Sequence, residues 1–215
     1  MPKRQLIMLL GISGAAALMI ILLVSSLLPD RAEETITVTR GGVPVTTLDV
    51  KATDPVLGAR SAPVTLFVFS DFGCDHCAIV AKTLRQLVEQ NKKVRLVWKD
   101  APITQFPAPS APAHLAARCA QRQNKFWEYH DKLFENQLRL TEATFVSIAQ
   151  ELKLKEGPFA ACIAEKKLQP LIDANFELAR ALPIDGTPYF VIDDERFSGN
   201  RTLEFLEDAV KRAAL

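Results

Sequence analysis

A buried strand that leads into two closely spaced cysteines at the start of a helix is the feature that most constrains this fold. Residues 64–70 (VTLFVFS) form a continuous apolar and β-branched run, which predicts a strand buried on both faces. A turn over 71–73 follows, and then Cys74-Asp75-His76-Cys77. The apolar spacing from Cys77 predicts an amphipathic helix that ends at Lys92-Lys93, and residues 94–98 (VRLVW) predict a second strand. This order predicts a βαβ unit with a parallel strand pair.

The remainder of the domain, which we place at residues 55–215, predicts a helical insertion followed by two strands and a final helix. The insertion covers about 108–182, after a proline-rich loop, and a later Gly-Thr-Pro stretch ends the helical region. Thr141 and Thr202 are expected to cap helices. Predicted helices cover 114–136 (with a break near Asn124), 141–152, 158–166, 168–181 and 203–213, and predicted strands cover 189–192 and 196–198.

The N-terminal 28 residues predict export of the domain. Leu6–Leu28 contains no charged residue, and as a helix it would span about 34 Å, against roughly 30 Å for a bilayer core. Lys3 and Arg4 lie in the preceding segment 1–5, which places the N-terminus in the cytoplasm. A cleaved signal peptide is the alternative, with a weak cleavage site at Val24-Ser25-Ser26. Residues 29–54 predict a tether or short hairpin, with strands at 35–39 and 45–50 and a turn at Gly41-Gly42.

Composition excludes some partners and indicates the compartment. Lys and Arg total 26 and Asp and Glu total 25, so no basic excess points to nucleic acid. All four cysteines lie beyond the apolar segment, where an exported domain meets an oxidising environment that preserves disulfides. The predicted location is therefore the bacterial inner membrane, with a single span and the domain on the periplasmic or extracytoplasmic side.

The Cys-x-x-Cys pair suits thiol–disulfide exchange. The first cysteine lies at the helix N-terminus, where unpaired N–H groups and the helix dipole stabilise a thiolate. We therefore assign Cys74 as the nucleophile and Cys77 as the resolving thiol. His76 favours the Cys74 thiolate, whereas the carboxylate of Asp75 opposes it. Half of a zinc site is the alternative, but the other two cysteines are far apart in the sequence.

Three segments together resemble the DsbA-like thiol–disulfide interchange proteins of the thioredoxin superfamily. They are residues 69–77 (FSDFGCDHC), 123–134 (QNKFWEYHDKLF) and 186–190 (GTPYF), and the likeness covers about 55–215. The resemblance implies an α/β thioredoxin fold, βαβ–ββα, with a helical insertion. It also implies a cis bond before Pro188, with Thr187 offering backbone hydrogen bonds to a bound substrate chain. An ordinary trans-proline turn is the alternative.

The sequence departs from the best-known oxidases of this family near the redox pair. They carry Pro-His between the cysteines, where this chain has Asp75-His76. Some have a buried acid six residues before the first cysteine, where this chain has Val68, and Asp71 is the nearest upstream acid. Lys99 or Asp100, at the end of the second strand, is an alternative group for proton exchange, although solvated charges are the more common finding at strand ends.

The other two cysteines, Cys119 and Cys162, both lie in the predicted insertion. Related DsbA-like proteins often carry a second pair, so we predict a structural Cys119–Cys162 bond, which would contribute on the order of 4 kcal/mol by closing a loop of about 44 residues. Buried free thiols and a second redox relay are the alternatives. We expect the aromatic residues of 126–134 to form core rather than a ligand platform. His114 and His130 are expected at the surface or in structural hydrogen bonds.

The resulting expectation is a dithiol oxidase that uses the Cys74–Cys77 disulfide and needs no metal or other cofactor. Its partners would be unfolded or cysteine-containing exported proteins and, by the family resemblance, a quinone-linked membrane reoxidase of the DsbB or VKOR type. We expect a monomer attached to the membrane by its N-terminal helix. A reductase or isomerase is the alternative enzyme, although the stretch before the domain is short for an isomerase's dimerisation region. A non-catalytic peptide-binding module is the alternative outside enzymes.

Overall fold

A five-stranded mixed sheet forms the centre of the described part of the chain, which in this computed structural model comprises residues 35–40, 43–102, 110–182 and 184–215. The strand order is β3-β5-β4-β6-β7, with β4 parallel to β5 and the other pairs antiparallel. The strands are β3 (Val56–Leu57), β4 (Val64–Ser70), β5 (Val94–Asp100), β6 (Tyr189–Ile192) and β7 (Glu195–Ser198). The predicted βαβ–ββα order is therefore confirmed, and the two-residue β3 is an addition to it.

Helix α1 (Asp75–Gln90) connects β4 to β5 and packs its apolar side on the sheet. All seven residues of β4 are buried, as the apolar run predicted. The buried residues of α1 follow the predicted spacing, and they are Cys77, Val80, Leu84, Leu87 and Val88. The redox pair thus lies between a strand and a helix that are both fixed by burial of apolar surface.

The insertion contains five helices within the described residues: α2 (Ala111–Gln121), α3 (Phe126–Glu135), α4 (Glu142–Glu151), α5 (Glu156–Glu165) and α6 (Gln169–Ala181). Helices α2 and α3 are separate, and the break contains Asn124 in the left-handed region with φ 59°. Thr141 caps α4 as predicted, because its hydroxyl accepts a hydrogen bond from the Thr144 amide at 3.3 Å. Thr202 caps the final helix α7 (Leu203–Ala213) in the same way.

The aromatic residues of α3 pack inside the domain. Phe126 and Tyr129 are buried, and the Tyr129 hydroxyl donates to the Phe145 carbonyl at 2.8 Å. Trp127 and Phe134 are partly buried against the same core. Their packing agrees with the core interpretation of this segment and brings α3 beside the strand that precedes the redox pair.

The segment before the sheet forms an antiparallel hairpin of β1 (Thr35–Arg40) and β2 (Val43–Asp49). Leu48 near the end of β2 is fully buried in a second apolar cluster with sheet residues. The Lys99 ammonium donates to the Asp49 carbonyl at 3.1 Å. The hairpin's end is thus attached to the sheet. The predicted turn at Gly41-Gly42 lies outside the described residues.

The predicted N-terminal segments, 1–5 and the apolar Leu6–Leu28, lie outside the described residues. Among the helices of the described ranges, none combines the length and apolar character needed to cross a membrane.

A disulfide bond joins Cys119 of α2 to Cys162 of α5, with a Cα–Cα separation of 5.8 Å. The predicted pairing is therefore present in the structure. The two residues are 43 apart in sequence, so the bond closes a loop that contains α3 and α4. It also means that neither cysteine is available to complete a zinc site with Cys74 and Cys77.

Replacing both Cys119 and Cys162 with alanine should lower the free energy of unfolding by about 4 kcal/mol, because the unfolded chain regains the conformational freedom that the loop closure removes. Urea unfolding of the parent and of the variant, both under non-reducing conditions with the Cys74–Cys77 pair oxidised, measures this value with the redox pair held constant. The same double substitution should leave the reactivity of Cys74 unchanged. An unfolding free energy within about 1 kcal/mol of the parent would contradict a structural role for this bond.

Candidate redox site

Cys74 occupies the N-cap position of α1, in an extended backbone conformation. Its carbonyl accepts hydrogen bonds from the amides of Cys77 at 3.0 Å and Ala78 at 3.1 Å, which begin the helix. Its side chain therefore lies at the positive end of the helix dipole, among amides that have no partner within the helix. The strand–turn–helix sequence places the sulfur there, as predicted.

The loop before β6 approaches this sulfur from the other side. The Thr187–Pro188 peptide bond is cis, as the family resemblance implied. The Cys74 Sγ lies 3.1 Å from the Thr187 carbonyl oxygen, to which the protonated thiol can donate, across 113 residues of sequence. The residues predicted as nucleophile and as substrate-binding loop are thus in direct contact.

The pKa of Cys74 is lowered to about 6, from an ordinary value of 9.0. The largest cause is a hydrogen bond from the Cys77 side chain, which stabilises the thiolate. Burial opposes the change, while the Thr187 side chain and the amides of Cys77 and His76 add to it. At neutral pH the thiolate is therefore the main form, and the thiolate is the nucleophile in disulfide exchange.

Cys77 shows the opposite behaviour. Its side chain is 1 % exposed against 8 % for Cys74, and burial raises its pKa well above the ordinary value. The neighbouring Cys74 raises it further, and hydrogen bonds with the Ser70 side chain and the Asp71 backbone only partly oppose this. Cys77 is therefore a protonated, shielded thiol, which fits the assignment of Cys74 as the attacking group and Cys77 as the resolving one.

The two residues between the cysteines are exposed. The His76 ring lies near Asn200, with Nδ1 at 3.2 Å from the Asn200 side-chain nitrogen. His76 lowers the pKa of Cys74 through a hydrogen bond from its backbone amide. The predicted tuning by the His76 and Asp75 side chains remains a prediction.

Asp71 organises the turn before Cys74. It is fully buried, and its Oδ1 accepts from the Gly73 amide at 3.0 Å, while its carbonyl accepts from the Cys74 amide at 3.1 Å. His114 Nε2 lies 3.4 Å from the same Oδ1. Burial alone would raise the pKa of Asp71, but the bonds with His114 and other donors outweigh it and lower the pKa. Asp71 is therefore an anchor for the turn that carries the nucleophile.

Asp100 continues this network away from the turn. Its carboxylate accepts from Trp98 Nε1 at 2.9 Å, from Arg118 Nε at 2.7 Å and from Asn175 Nδ2 at 3.2 Å. It also faces His114 Nδ1 at 2.8 Å. Burial would raise the pKa of Asp100, but the Arg118 and His114 charges lower it far more. Asp100 is thus a buried, paired anion rather than a free proton acceptor.

The expectation of solvated charges at the end of β5 is wrong. Asp100 is completely buried, and Lys99 is 1 % exposed with its ammonium 2.6 Å from Asp54 Oδ2. Both side chains are directed inward because the segments that pack over the strand end, α2 and the stretch after β2, supply partners of opposite charge. Sequence reasoning missed Arg118 and Asp54, whose contacts with β5 span 18 and 45 residues.

A family model for thioredoxin matches residues 50–212. The chain belongs to the thioredoxin family. The solved structure of the thiol–disulfide exchange protein α-DsbA2 from Wolbachia pipientis is similar to this thioredoxin domain, with a TM-score of 0.70 and 24% identity, over 75% of this chain and 88% of that one. At this identity the likeness shows the fold.

Curated relatives of this thioredoxin-family chain are of two kinds. The Na(+)/H(+) antiporter NhaA 3 of Salinispora tropica is 32% identical over 160 residues, which are 74% of this chain and 24% of the antiporter. The chain thus spans about a quarter of the length of the antiporters it matches. The probable disulfide bond formation protein D of Bacillus cereus is 25% identical over 148 residues, covering 64% of this chain and 68% of that one. Thiol–disulfide oxidoreductases are therefore among the relatives and neighbours of this thioredoxin domain.

Alkylation of the reduced thioredoxin domain with iodoacetamide should report the low pKa directly. The rate should be half-maximal near pH 6 and reach a plateau before pH 8, because the thiolate alone reacts. Peptide mass spectrometry should find the label on Cys74, and Cys74→Ala should abolish the fast phase. A half-maximal rate near pH 9, or labelling of Cys77 first, would contradict the assignment.

Proposed function

We propose that this chain is a thiol–disulfide oxidoreductase that acts as a dithiol oxidase on exported proteins. The observation that carries the proposal is the contrast between the two thiols of one Cys-x-x-Cys pair. Cys74 lies beside the Thr187 carbonyl with its pKa lowered to about 6, while burial raises the pKa of Cys77. This contrast provides one sulfur that reacts with other chains and one that reacts within the protein.

The proposed reaction has two exchange steps. A thiolate of the client attacks Cys74 in the Cys74–Cys77 disulfide, and Cys77 leaves with the electron pair and takes up a proton. The client's second thiol, as its thiolate, then attacks the client sulfur of the mixed disulfide, and Cys74 leaves as a thiolate. The client is oxidised by two electrons, the protein is reduced by two electrons, and no cofactor is required.

The stabilised thiolate favours the oxidase direction. At pH 7 a pKa of about 6 instead of 9.0 favours the reduced form by roughly tenfold, which makes the disulfide more oxidising by about 30 mV. Since the pKa in the folded protein is the lower one, this effect is complete above pH 9 and is lost as the pH falls through about 6. The lowered pKa of Cys74 therefore makes this disulfide more oxidising than that of a dithiol with ordinary pKa values.

The clients we propose are unfolded or cysteine-containing exported chains. The backbone of Thr187 and the cis Pro188 lie next to the reactive sulfur, where an extended client backbone can form hydrogen bonds. The relation to disulfide bond formation protein D supports this class of substrate. We also propose attachment to the bacterial inner membrane through Leu6–Leu28, with the domain outside the cytoplasm, and reoxidation by a quinone-linked membrane partner of the DsbB or VKOR type.

Cys77→Ala should accumulate mixed disulfides between Cys74 and client proteins, because the thiol that would expel a bound client is absent. Expression in a bacterial host, acid quenching and non-reducing electrophoresis would display these species, and mass spectrometry would identify them. The matched control is Cys74→Ala with Cys77 intact, which should trap little, since the buried Cys77 has a raised pKa. Equal trapping by both variants, or none by either, would contradict the proposed site.

The reduction potential of the Cys74–Cys77 pair should be less negative than that of thioredoxin, about −270 mV, because the stabilised Cys74 thiolate favours the reduced form. Equilibration with glutathione buffers, read by mass spectrometry after alkylation, measures the potential. The disulfide form should also oxidise a reduced, unfolded secreted protein. A potential near −270 mV with poor oxidation of that protein would favour a reductase.

A further inference from the structure

A small internal cavity lies beside the resolving thiol, between β4, β5, α1 and α3. Its volume is about 10 Å³, close to the space that a single water molecule requires. Cys77, Ser70 and Val68 line it from the side of the redox pair, and His130 and Asp131 line it from α3. The resolving thiol and an imidazole thus line the same small cavity.

The resolving thiol needs a proton acceptor in this space. Cys77 must lose its proton before it can attack a mixed disulfide, and burial makes that loss unfavourable. Val68 presents only methyl groups to the cavity, and Ser70 supplies a hydroxyl that is too weak a base. Among the described residues that line the cavity, His130 is the one with a neutral basic nitrogen near physiological pH.

The surroundings of His130 keep its ring neutral and oriented. The ring packs against Phe72, Trp98, Trp127 and Phe134 with centroid distances of 5.7, 5.0, 5.0 and 4.8 Å. Burial lowers its pKa, Arg85 and His114 act in the same direction, and Asp131 opposes them. Nδ1 lies 2.9 Å from Asp131 Oδ1, so Nδ1 holds the proton and Nε2 is the basic nitrogen.

Asp131 also links the cavity to solvent. Its carboxylate accepts from Arg85, and the two side chains are 37% and 33% exposed. Arg85, Asp131, Ala81 and Phe134 line both the internal cavity and an open groove between α1 and α3. The partly exposed carboxylate of Asp131 therefore connects the His130 ring to bulk water.

His114, the other buried imidazole near the redox turn, is not suited to this role. It lies between the carboxylates of Asp71 and Asp100, and it does not line the cavity with Cys77. Burial lowers its pKa, but the bonds with the two carboxylates outweigh this and raise it. Both ring nitrogens of His114 therefore face carboxylates, and neither is directed at Cys77.

We infer that His130 exchanges the proton of Cys77 during disulfide exchange, with Asp131 holding the ring. This inference rests on the proposed function and names a further catalytic residue for it. When Cys77 attacks a mixed disulfide at Cys74, the Cys74–Cys77 bond forms and the bond to the client sulfur breaks. The electron pair leaves on the client thiolate, and the proton of Cys77 passes to His130, directly or through one water. In the reverse direction His130 returns the proton to Cys77.

The reaction of the reduced protein with glutathione disulfide separates the two steps. In the first step Cys74 attacks and a glutathione adduct forms, and in the second Cys77 expels the glutathione. Acid quenching followed by mass spectrometry measures both rates. At pH 7 His130→Gln should leave the first rate within twofold and slow the second by about tenfold or more, so the adduct accumulates. The defect should shrink towards pH 10, where hydroxide replaces the imidazole.

Two further variants keep the test decisive. Asp131→Asn, at a partly exposed position, should slow the second step by several-fold and leave the first unchanged, even if His130→Gln does not fold. The control Glu128→Gln, whose side chain pairs with Lys125 on the outer side of α3, should change neither rate. If His130→Gln folds, a second-step rate equal to that of the parent would overturn the inference. If His130→Gln does not fold, an unchanged second-step rate in Asp131→Asn would overturn it. Equal slowing of both steps, which indicates a packing role alone, would also overturn it.

The same experiment separates this inference from the function on which it rests. A parent protein that forms no glutathione adduct on Cys74 would contradict the proposed oxidoreductase, and the inference with it. If the parent forms and resolves the adduct and His130→Gln resolves it equally well, the role of His130 is contradicted and the proposed oxidoreductase is not.

Discussion

The buried carboxylate of Asp100 is the interaction on which the geometry of the redox site depends. It joins the end of β5 to Arg118 and His114 of α2 and to Asn175 of α6. Through His114 the network reaches Asp71, which holds the turn before Cys74. Loss of one partner of such a buried pair leaves an uncompensated charge and costs about 3–5 kcal/mol. The insertion and the redox turn therefore cannot separate without a large penalty.

The Asp100 network fixes the position of the turn, and the different surroundings of the two cysteines then determine their reactivity. Cys74 caps α1 and meets free amides and the Thr187 loop, whereas Cys77, one turn later, lies under the helix against the sheet. The same Cys-x-x-Cys spacing therefore stabilises one thiolate and disfavours the other. Two chemically equal side chains acquire different roles because the hydrogen bond from Cys77 stabilises the Cys74 thiolate, while burial raises the pKa of Cys77.

The sequence predicted the features that arise from local patterns. The apolar run of β4, the spacing of buried residues in α1, the caps at Thr141 and Thr202 and the break near Asn124 each depend on neighbouring residues, and the structure confirms them. The cis bond before Pro188 and the Cys119–Cys162 bond followed from the family resemblance and are present. The two-residue strand β3 was too short to leave a periodic signal.

The features that the sequence did not reveal depend on contacts between distant segments. Lys99 and Asp100 follow a strand, and nothing adjacent in the chain indicates that Asp54 and Arg118 will cover them. His130 lies among aromatic residues on an amphipathic helix, and the sequence placed it only at the surface or in structural hydrogen bonds. Its significance appears only when α3 packs over β4 and the ring lines the cavity beside Cys77. Tertiary packing, rather than local preference, determines these partners.

The position of Val68 connects these observations. A buried acid at this point of the strand would have to be neutralised within the sheet, in a core that is otherwise apolar here. A valine removes that cost, but it leaves β4 without a carboxylate in the cavity beside the resolving thiol. An imidazole from the insertion, neutral when buried and joined to a partly exposed carboxylate, avoids an isolated buried charge and still carries a proton. The insertion helix α3 thus becomes one wall of the redox centre.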